Sequence, residues 1–299
     1  MSANARQAKL SRSPQGFPKD RESPRPKSRP RQVLIRLALA VIAAIIAFNI
    51  PHSLIPVFKE SVSEATPPPE IQNVLAGKRK IVIVGDSITE AGKYPGGYVW
   101  LLQRYLSALY PGQIAIVNAG ISGNKATDMQ ARFQKDAIDE KPDLVMINVG
   151  VNDVWHAFLD FQNIQFYPQG NLPTGVPLAQ YREKITQMVL AAKAAGIRVV
   201  LLSPTPIGEI LDCPENRRLQ EYIAAMREIA LQNQCLFIDL NAPFREVIAT
   251  YQKHAGKTLN LLAADGVHPN PSGYRIMAFT ILRGLGVPTK DIENLEVKK

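Results

Sequence analysis

The sequence predicts an α/β domain in which a parallel sheet lies between two layers of helices. From Arg79 onward, short apolar runs alternate with amphipathic segments of helical period, a pattern typical of parallel strands joined by crossover helices. The first apolar run, residues 81–84, holds only β-branched side chains, which suit a strand covered on both faces. It ends at Gly85-Asp86-Ser87, which has turn chemistry. In such sheets, ligands bind at the carboxyl ends of the strands.

The same alternation predicts five strands and five helices in chain order. The strands are expected at residues 81–84, 114–117, 144–148, 199–203 and 236–239. The helices are expected at residues 98–109, 127–138, 178–195, 215–233 and 271–285. The sequence contains no internal repeat, so we expect one domain over residues 79–287 and a C-terminal tail over residues 288–299.

The positive charge of the chain is concentrated at its N-terminus. The net charge is +9, but residues 1–32 hold nine Lys and Arg against Asp20 and Glu22, so the remainder is close to neutral. This basic segment is rich in Pro and Ser and has almost no large apolar groups, so we expect it to be disordered. Because the domain itself carries little net charge, we expect no nucleic-acid partner.

Residues 33–50 are apolar apart from Arg36 near one end and Asn49 near the other. Eighteen residues are close to the minimum for a spanning helix, and Arg36 can snorkel to the interface. A core helix would carry a polar face, and a cleaved signal peptide would have a small-residue cleavage site nearby. We therefore predict a transmembrane signal anchor that leaves the basic tail in the cytoplasm. Residues 51–78 read as a Pro-containing linker to an extracytoplasmic domain, periplasmic or extracellular.

Two cysteines, Cys213 and Cys235, are too few for a disulfide framework. The helix expected at residues 215–233 would separate them by about 28 Å, which is beyond bridging distance. We expect both to be unpaired structural thiols. The chain also lacks the His, Cys and carboxylate spacings that are typical of metal sites.

Four short polar segments follow predicted strands or precede the last helix. They are Gly85-Asp86-Ser87-Ile88-Thr89, Asn118-Ala119-Gly120-Ile121-Ser122-Gly123, Gly150-Val151-Asn152-Asp153 and Asp265-Gly266-Val267-His268-Pro269. Taken alone, each has an ordinary structural interpretation: a helix N-cap, a turn that needs positive φ, an Asx turn and a solvated loop. Their order and their shared position at strand ends make a chance combination a poor explanation.

Together these segments resemble the sequence blocks of the SGNH/GDSL hydrolases, the GDSL-like lipases and acylhydrolases of the bacterial esterase type. The resemblance covers residues 79–287 and leaves out the basic tail, the apolar segment and the linker. It implies a flavodoxin-like, three-layer α/β/α sandwich with a five-stranded parallel sheet in the order 2-1-3-4-5. It also implies a serine ester hydrolase that works through an acyl-enzyme and needs no cofactor.

The residue types in these segments fit acyl transfer, which needs a nucleophile, a base, a group that orients the base and donors to the oxyanion. Ser87 is the expected nucleophile. His268 is the expected base, because a neutral imidazole accepts protons near pH 7. Asp265, three residues earlier, can fix the imidazole tautomer. The resemblance places the oxyanion hole at the backbone N–H of Ser87, the backbone N–H of Gly123 and the side-chain amide of Asn152.

The segment at residues 154–177 is longer than most strand-to-helix loops and is rich in aromatic residues. Trp155 and His156 directly follow the oxyanion asparagine, and we expect them to line a substrate pocket. Local packing of the loop onto the domain is the alternative. Asp86 is expected to hold the nucleophile turn rather than to act as an acid.

The expected substrates are small acyl esters or acetylated carbohydrates. A lysophospholipase or thioesterase acting on lipids, and an acyltransferase using the same triad, stay open because fold and triad do not separate them. A catalytically inactive binding module is disfavoured because every catalytic side chain is present. The expected partners are therefore an ester substrate and, through the N-terminal anchor, a membrane.

Overall fold

The structure of the chain, a computed structural model, describes residues 74–256 and 260–297. The predicted basic tail (1–32), the predicted signal anchor (33–50) and most of the predicted linker (51–78) lie outside these residues. Within the described part of the chain, no helix is both long enough and apolar enough to cross a membrane.

The central sheet has five parallel strands. They are β1 (Lys80–Gly85), β2 (Ala115–Gly120), β3 (Leu144–Asn148), β6 (Arg198–Leu202) and β7 (Leu236–Ile238). Their order across the sheet is β2-β1-β3-β6-β7, which is 2-1-3-4-5 when only these strands are counted. The predicted fold class and strand order are therefore confirmed. Two further strands, β4 (Leu159–Asp160) and β5 (Gln165–Phe166), pair with each other as a separate antiparallel hairpin.

Nine α-helices lie within the described residues. They are α1 (Ser87–Ala91), α2 (Tyr98–Leu109), α3 (Ala126–Phe133), α4 (Val151–Trp155), α5 (Leu178–Ala194), α6 (Pro214–Gln232), α7 (Asn241–Ala255), α8 (Pro271–Gly284) and α9 (Thr289–Val297). A π-helical turn, Gln134–Ile138, continues α3. The five predicted helices match α2, α3 with its π-turn, α5, α6 and α8 to within one residue at each end. The helices α1, α4, α7 and α9 and the β4–β5 hairpin are additional.

The sheet is buried because helices cover both of its faces. Every residue of β3 is buried, as are all residues of β1 after Lys80. Helices α3, α5 and α6 pack one against the next, while α2, α8 and α9 form a second packed group. The continuous apolar runs of β1 and β3 thus reflect burial on two sides.

Residues at both ends of the predicted domain also pack on it. Val74 and Leu75, expected in the linker, are buried and belong to the hydrophobic core. The residues expected to form a C-terminal tail include α9, whose Ile292 is buried in the same core. The physical reason is the same at both ends, because each segment carries apolar side chains that the domain surface covers.

Three strands end in register at the edge of the sheet that carries the four polar segments. Gly85 pairs with Gly120 on one side and with Asn148 on the other. The backbone N–H of Ile121 then donates to the carbonyl of Gly85 at 3.1 Å. Gly120 must be glycine, since a Cβ there would lie 2.2 Å from the backbone nitrogen of Glu90. The segments that follow β1, β2 and β3 therefore leave the sheet side by side.

Candidate active site

Ser87 is the first residue of α1 and follows the carboxyl end of β1. The carboxylate of Asp86 caps this helix by accepting a hydrogen bond from the backbone N–H of Ile88 at 2.9 Å. Burial raises the pKa of Asp86 to about 6, an effect that the hydrogen bond from Ile88 and the nearby His268 partly offset. The Asp86 carboxyl thus stabilises the turn that presents Ser87.

Ser87, His268 and Asp265 form a continuous hydrogen-bonded chain. His268 Nε2 lies 2.8 Å from Ser87 Oγ, and His268 Nδ1 lies 2.7 Å from Asp265 Oδ2. With a proton on Nδ1 donating to the carboxylate, Nε2 is left as the acceptor for the serine proton. The arrangement can therefore generate a serine nucleophile next to a base that is held in the correct tautomer.

The loop that carries Asp265 is shaped by the carboxylate itself. Asp265 Oδ1 accepts hydrogen bonds from the backbone N–H groups of His268 at 2.8 Å and Val267 at 3.0 Å. Burial alone would raise the pKa of this carboxyl, but the hydrogen bonds from His268 and Val267 outweigh burial and lower it. Asp265 is thus an anion that fixes both the loop and the imidazole.

The same loop is anchored to the rest of the domain on both sides of the histidine. Gly266 has φ +91° and accepts a hydrogen bond from the backbone N–H of Gly208 at 2.6 Å. The N–H of Ala264 donates to the carbonyl of His268 at 2.8 Å. Asn270 then caps α8 by accepting from two backbone N–H groups. These contacts hold His268 in place against Ser87.

The groups expected to form the oxyanion hole come from the three adjacent strand ends. The side-chain amide of Asn152 donates to the carbonyl of Asn124 at 3.1 Å, which leaves its second hydrogen for another acceptor. Gly123 is exposed and has φ +78°, with no atom within 4 Å of the position that a Cβ would take. The side of the Gly123 backbone on which a Cβ would lie is thus open.

A pocket of about 380 Å³ opens beside the serine and the histidine. It is lined by Ser87, Glu90, Ala91, Tyr94, Ser122 and His268. Glu90 Oε2 accepts hydrogen bonds from the backbone N–H of Ser122 at 2.8 Å and from its hydroxyl at 2.5 Å. These hydrogen bonds lower the pKa of Glu90, so this wall of the pocket carries a negative charge. Four of these lining residues, Glu90, Ala91, Tyr94 and Ser122, are absent from the site that the sequence predicts.

Residues 83–276 match the protein family described as GDSL-like lipase/acylhydrolase. The chain belongs to this family. All four polar segments fall inside the matched range, so the resemblance noted from the sequence is confirmed. Membership of this family, together with the relatives described next, makes the chain a serine-type carboxylic ester hydrolase.

The GDSL hydrolase is similar to an acetylxylan esterase from Geobacillus stearothermophilus, with 33% identity over 69% of this chain and 94% of the relative. The crystal structure of that esterase superposes with a TM-score of 0.60. Variants of it described as catalytic mutants replace one serine, one aspartate and one histidine by alanine, the latter two three positions apart. The chain is also 29% identical, over 44% of its length and 51% of the relative, to an uncharacterized lipoprotein of Bacillus subtilis. The esterase TesA of Pseudomonas aeruginosa is 27% identical over 65% of this chain and 81% of its own.

Arg132 joins the strand ends of the GDSL hydrolase and was not predicted from the sequence. Its guanidinium donates to the carbonyls of Gly85 at 3.0 Å and Ala119 at 2.9 Å, and to the side chain of Asn124 at 2.7 Å. It also forms an ion pair with Asp136 on the same helix. In a single sequence, nothing distinguishes such an arginine from one that faces solvent.

Asp153 is fully buried behind the expected oxyanion segment. Its Oδ1 accepts a hydrogen bond from the backbone N–H of Ala126, the first residue of α3, at 2.9 Å. Its Oδ2 has no hydrogen-bond partner among the described residues. Burial, with a smaller contribution from the neighbouring Asp86, raises the pKa of Asp153 to about 7. The hydrogen bond from Ala126 to Asp153 joins α3 to α4. This contact holds the neighbouring residues Asn124 and Asn152 close to each other.

Trp155 and His156 pack on Phe161 of the long insert. The Trp155 and Phe161 ring centroids lie 4.9 Å apart in an edge-to-face arrangement, and those of His156 and Phe161 lie 4.6 Å apart. Burial, together with Lys125, lowers the pKa of His156 to about 4, so its imidazole is neutral near pH 7. Among the described residues that line the Ser87 pocket, neither Trp155 nor His156 is present. Their role in a substrate pocket stays a prediction.

The two cysteines lie near opposite ends of α6 as free thiols. Cys213 caps the start of the helix, and Cys235 follows its end. Within the part of the chain that the structure describes, no group of three His, Cys, Asp or Glu side chains is placed to hold a metal ion.

Proposed function

We propose that this GDSL hydrolase removes acetyl groups from acetylated carbohydrates through an acetyl-enzyme formed on Ser87. The observation that carries the proposal is the chain of hydrogen bonds that links Ser87, His268 and Asp265 at 2.8 and 2.7 Å. The similar acetylxylan esterase has catalytic mutants at a serine and at an aspartate and a histidine three positions apart. Asp265 and His268 have the same spacing.

In the proposed mechanism, Ser87 Oγ attacks the acetyl carbonyl while His268 Nε2 takes the serine proton. The negative charge that develops on the carbonyl oxygen is stabilised by the backbone N–H groups of Ser87 and Gly123 and by the Asn152 amide. His268 then returns the proton to the departing sugar oxygen. Water, activated by the same imidazole, attacks the acetyl-enzyme and releases acetate.

The pocket offers hydrogen-bonding groups that support a carbohydrate substrate. Four of its six lining residues are polar: Ser87, Glu90, Ser122 and His268. A polyol needs several hydrogen-bonding groups in its site, and these side chains supply them.

We further propose that the domain works outside the cytoplasm, held by an anchor at residues 33–50. The apolar composition of that segment supports an anchor, and the basic residues before it support this orientation. The similarity to a protein described as a lipoprotein also fits an extracytoplasmic role.

The proposal is tested by measuring acetate release from acetylated xylo-oligosaccharides by the full-length chain. We expect kcat/KM on these substrates to exceed that on p-nitrophenyl palmitate and on lysophosphatidylcholine. The Ser87→Ala variant is the control for background hydrolysis. Preference for the long-chain substrates would contradict the proposal. Acetylation of added oligosaccharide by an aryl acetate, without release of acetate, would show an acyltransferase instead.

A further inference from the structure

Tyr94 is the most exposed aromatic residue in the wall of the Ser87 pocket, with 62% of its surface accessible. Aromatic side chains are normally at least partly buried, because their rings gain most from being removed from water. A tyrosine that is largely exposed beside a nucleophilic serine contributes little to the core. Its ring is therefore available to contact a bound molecule.

The loop between α1 and α2 holds the backbone of Tyr94 in a defined position. The N–H of Tyr94 donates to the carbonyl of Ala91 at 3.1 Å, and the N–H of Gly97 donates to the carbonyl of Tyr94 at 2.8 Å. The loop closes on itself, since a Cβ on Gly97 would lie 2.4 Å from the carbonyl oxygen of Gly92. Lys93 Nζ also lies 5.3 Å from the ring centroid. The backbone that carries the ring thus needs little further ordering on binding.

Glu90 presents a fixed acceptor in the same pocket. Its Oε2 is held by both the backbone N–H and the hydroxyl of Ser122. Its Oε1 lies 4.0 Å from Lys93 Nζ, which is longer than a hydrogen bond. The Oε1 oxygen of Glu90 is thus held in position and can still accept a hydrogen bond from a ligand.

We propose that Tyr94 and Glu90 form a subsite for the sugar ring that carries the acetyl group. The C–H face of a pyranose stacks on the Tyr94 ring, and a neighbouring sugar hydroxyl donates to Glu90 Oε1. An aromatic face next to a charged acceptor matches a polyol, which has both an apolar face and hydroxyl donors. This subsite rests on the proposed deacetylase function. It places the sugar, which is the alcohol that leaves, against the wall formed by Tyr94 and Glu90.

The test compares two acetate esters that differ only in the alcohol. Acetylated xylotriose reaches the proposed subsite, whereas the ethanol of ethyl acetate is too small to span it. For Tyr94→Ala, we expect the ratio of kcat/KM on acetylated xylotriose to that on ethyl acetate to fall about tenfold, the effect of losing one good contact. Tyr94→Phe keeps the ring and should retain the wild-type ratio.

Tyr110→Ala is the control for loss of a tyrosine elsewhere, because the partly buried Tyr110 follows the far end of α2 and lies outside the pocket. It should leave the ratio unchanged. An unchanged ratio in Tyr94→Ala, or an equal loss in Tyr94→Phe, overturns the subsite while the deacetylase activity of the wild type stands. Absence of activity on acetylated xylotriose in the wild type, with ethyl acetate still hydrolysed, overturns the deacetylase proposal and the subsite together.

Discussion

Asn152 presents its side-chain amide from the first turn of α4, with one amide hydrogen bound to the Asn124 carbonyl at 3.1 Å. The second hydrogen is the group that we assign to the oxyanion. Because the donor is preorganised, its contribution is made when charge develops in the transition state and not when the ester first binds. This separates the role of Asn152 from that of a residue that only binds substrate.

We therefore expect Asn152→Ala to lower kcat by about 100-fold, or about 3 kcal/mol, with little change in KM. Steady-state hydrolysis of p-nitrophenyl acetate over a series of substrate concentrations measures both constants. Asn163→Ala, an exposed residue of the β4–β5 hairpin, is the control and should resemble the wild type. An unchanged kcat in Asn152→Ala would remove the amide from the oxyanion hole.

Trp155 is the last residue of α4 and Phe158 follows that helix, but the two side chains lie in different surroundings. Trp155 is half-buried against Phe161, whereas Phe158 is 1% exposed and stacks with Phe166. We expect Trp155→Ala to shift the ratio of kcat/KM between acetate and butyrate esters. Phe158→Ala should leave that ratio unchanged and lower the free energy of unfolding by about 3–5 kcal/mol. An equal loss on both esters in Trp155→Ala would support local packing alone.

At the scale of elements, the long insert at residues 154–177 is tied to α6 rather than left as a free loop. Arg218 donates to the carbonyls of Gly170 and Gln169, and the hydroxyl of Tyr222 donates to the carbonyl of Val176 at 2.5 Å. The N–H of Val176 in turn donates to the carbonyl of Asp153. The insert, α4 and α6 therefore form one packed unit behind the oxyanion segment.

Asp153 makes the stability of the folded protein depend measurably on pH. Burial raises its pKa from 3.8 to about 7, so between these values the folded state keeps a proton that the unfolded state has lost. The stabilising contribution is present at low pH and is lost as the pH rises through about 7, by up to about 4 kcal/mol. Asp86, whose pKa is raised to about 6, acts in the same direction.

We expect Asp153→Asn to show a smaller fall in the urea unfolding free energy between about pH 5 and about pH 8 than the wild type. The part that remains combines the fall due to Asp86 with an opposing rise due to His156, whose pKa is lowered to about 4. Glu221→Gln, a change on the exposed side of α6, is the control and should keep the wild-type dependence. The same fall in Asp153→Asn as in the wild type would mean that Asp153 does not titrate in this range.

The elements that the sequence predicted are those with a strong periodic pattern. The apolar runs of β1 and β3 and the long helices α5 and α6 fall within one residue of their expected bounds. The two-residue strands β4 and β5 are too short to show a period, and α1 was hidden because Gly-Asp-Ser also has turn chemistry.

The site divides in the same way between local and long-range features. Ser87, Asp265 and His268 were found because their residue types and order have a chemical meaning. Glu90 was missed because its partner Ser122 lies 32 positions away, and only the pairing of β1 with β2 brings them together. Such contacts depend on the register of the sheet and leave no pattern in the local sequence.

For the whole molecule, the unequal charge distribution leads to a prediction about topology. Residues 1–32 carry nine basic side chains directly before the apolar segment 33–50, which should keep the N-terminus in the cytoplasm. An alkaline phosphatase fused after Lys78 should therefore be active, since it folds only when exported. A β-galactosidase fused at the same position should be inactive. The reverse result would place the catalytic domain in the cytoplasm.

The most direct test of the central claim is labelling of the full chain with a fluorophosphonate, followed by mass spectrometry of its peptides. The account predicts one modified residue, Ser87, because its hydroxyl alone, among those of residues 74–256 and 260–297, lies 2.8 Å from a base that is oriented by a carboxylate. Labelling should be slowed by acetylated xylo-oligosaccharide and absent in Ser87→Ala. Equal labelling of the wild type and Ser87→Ala, or modification of a different residue, would contradict the account.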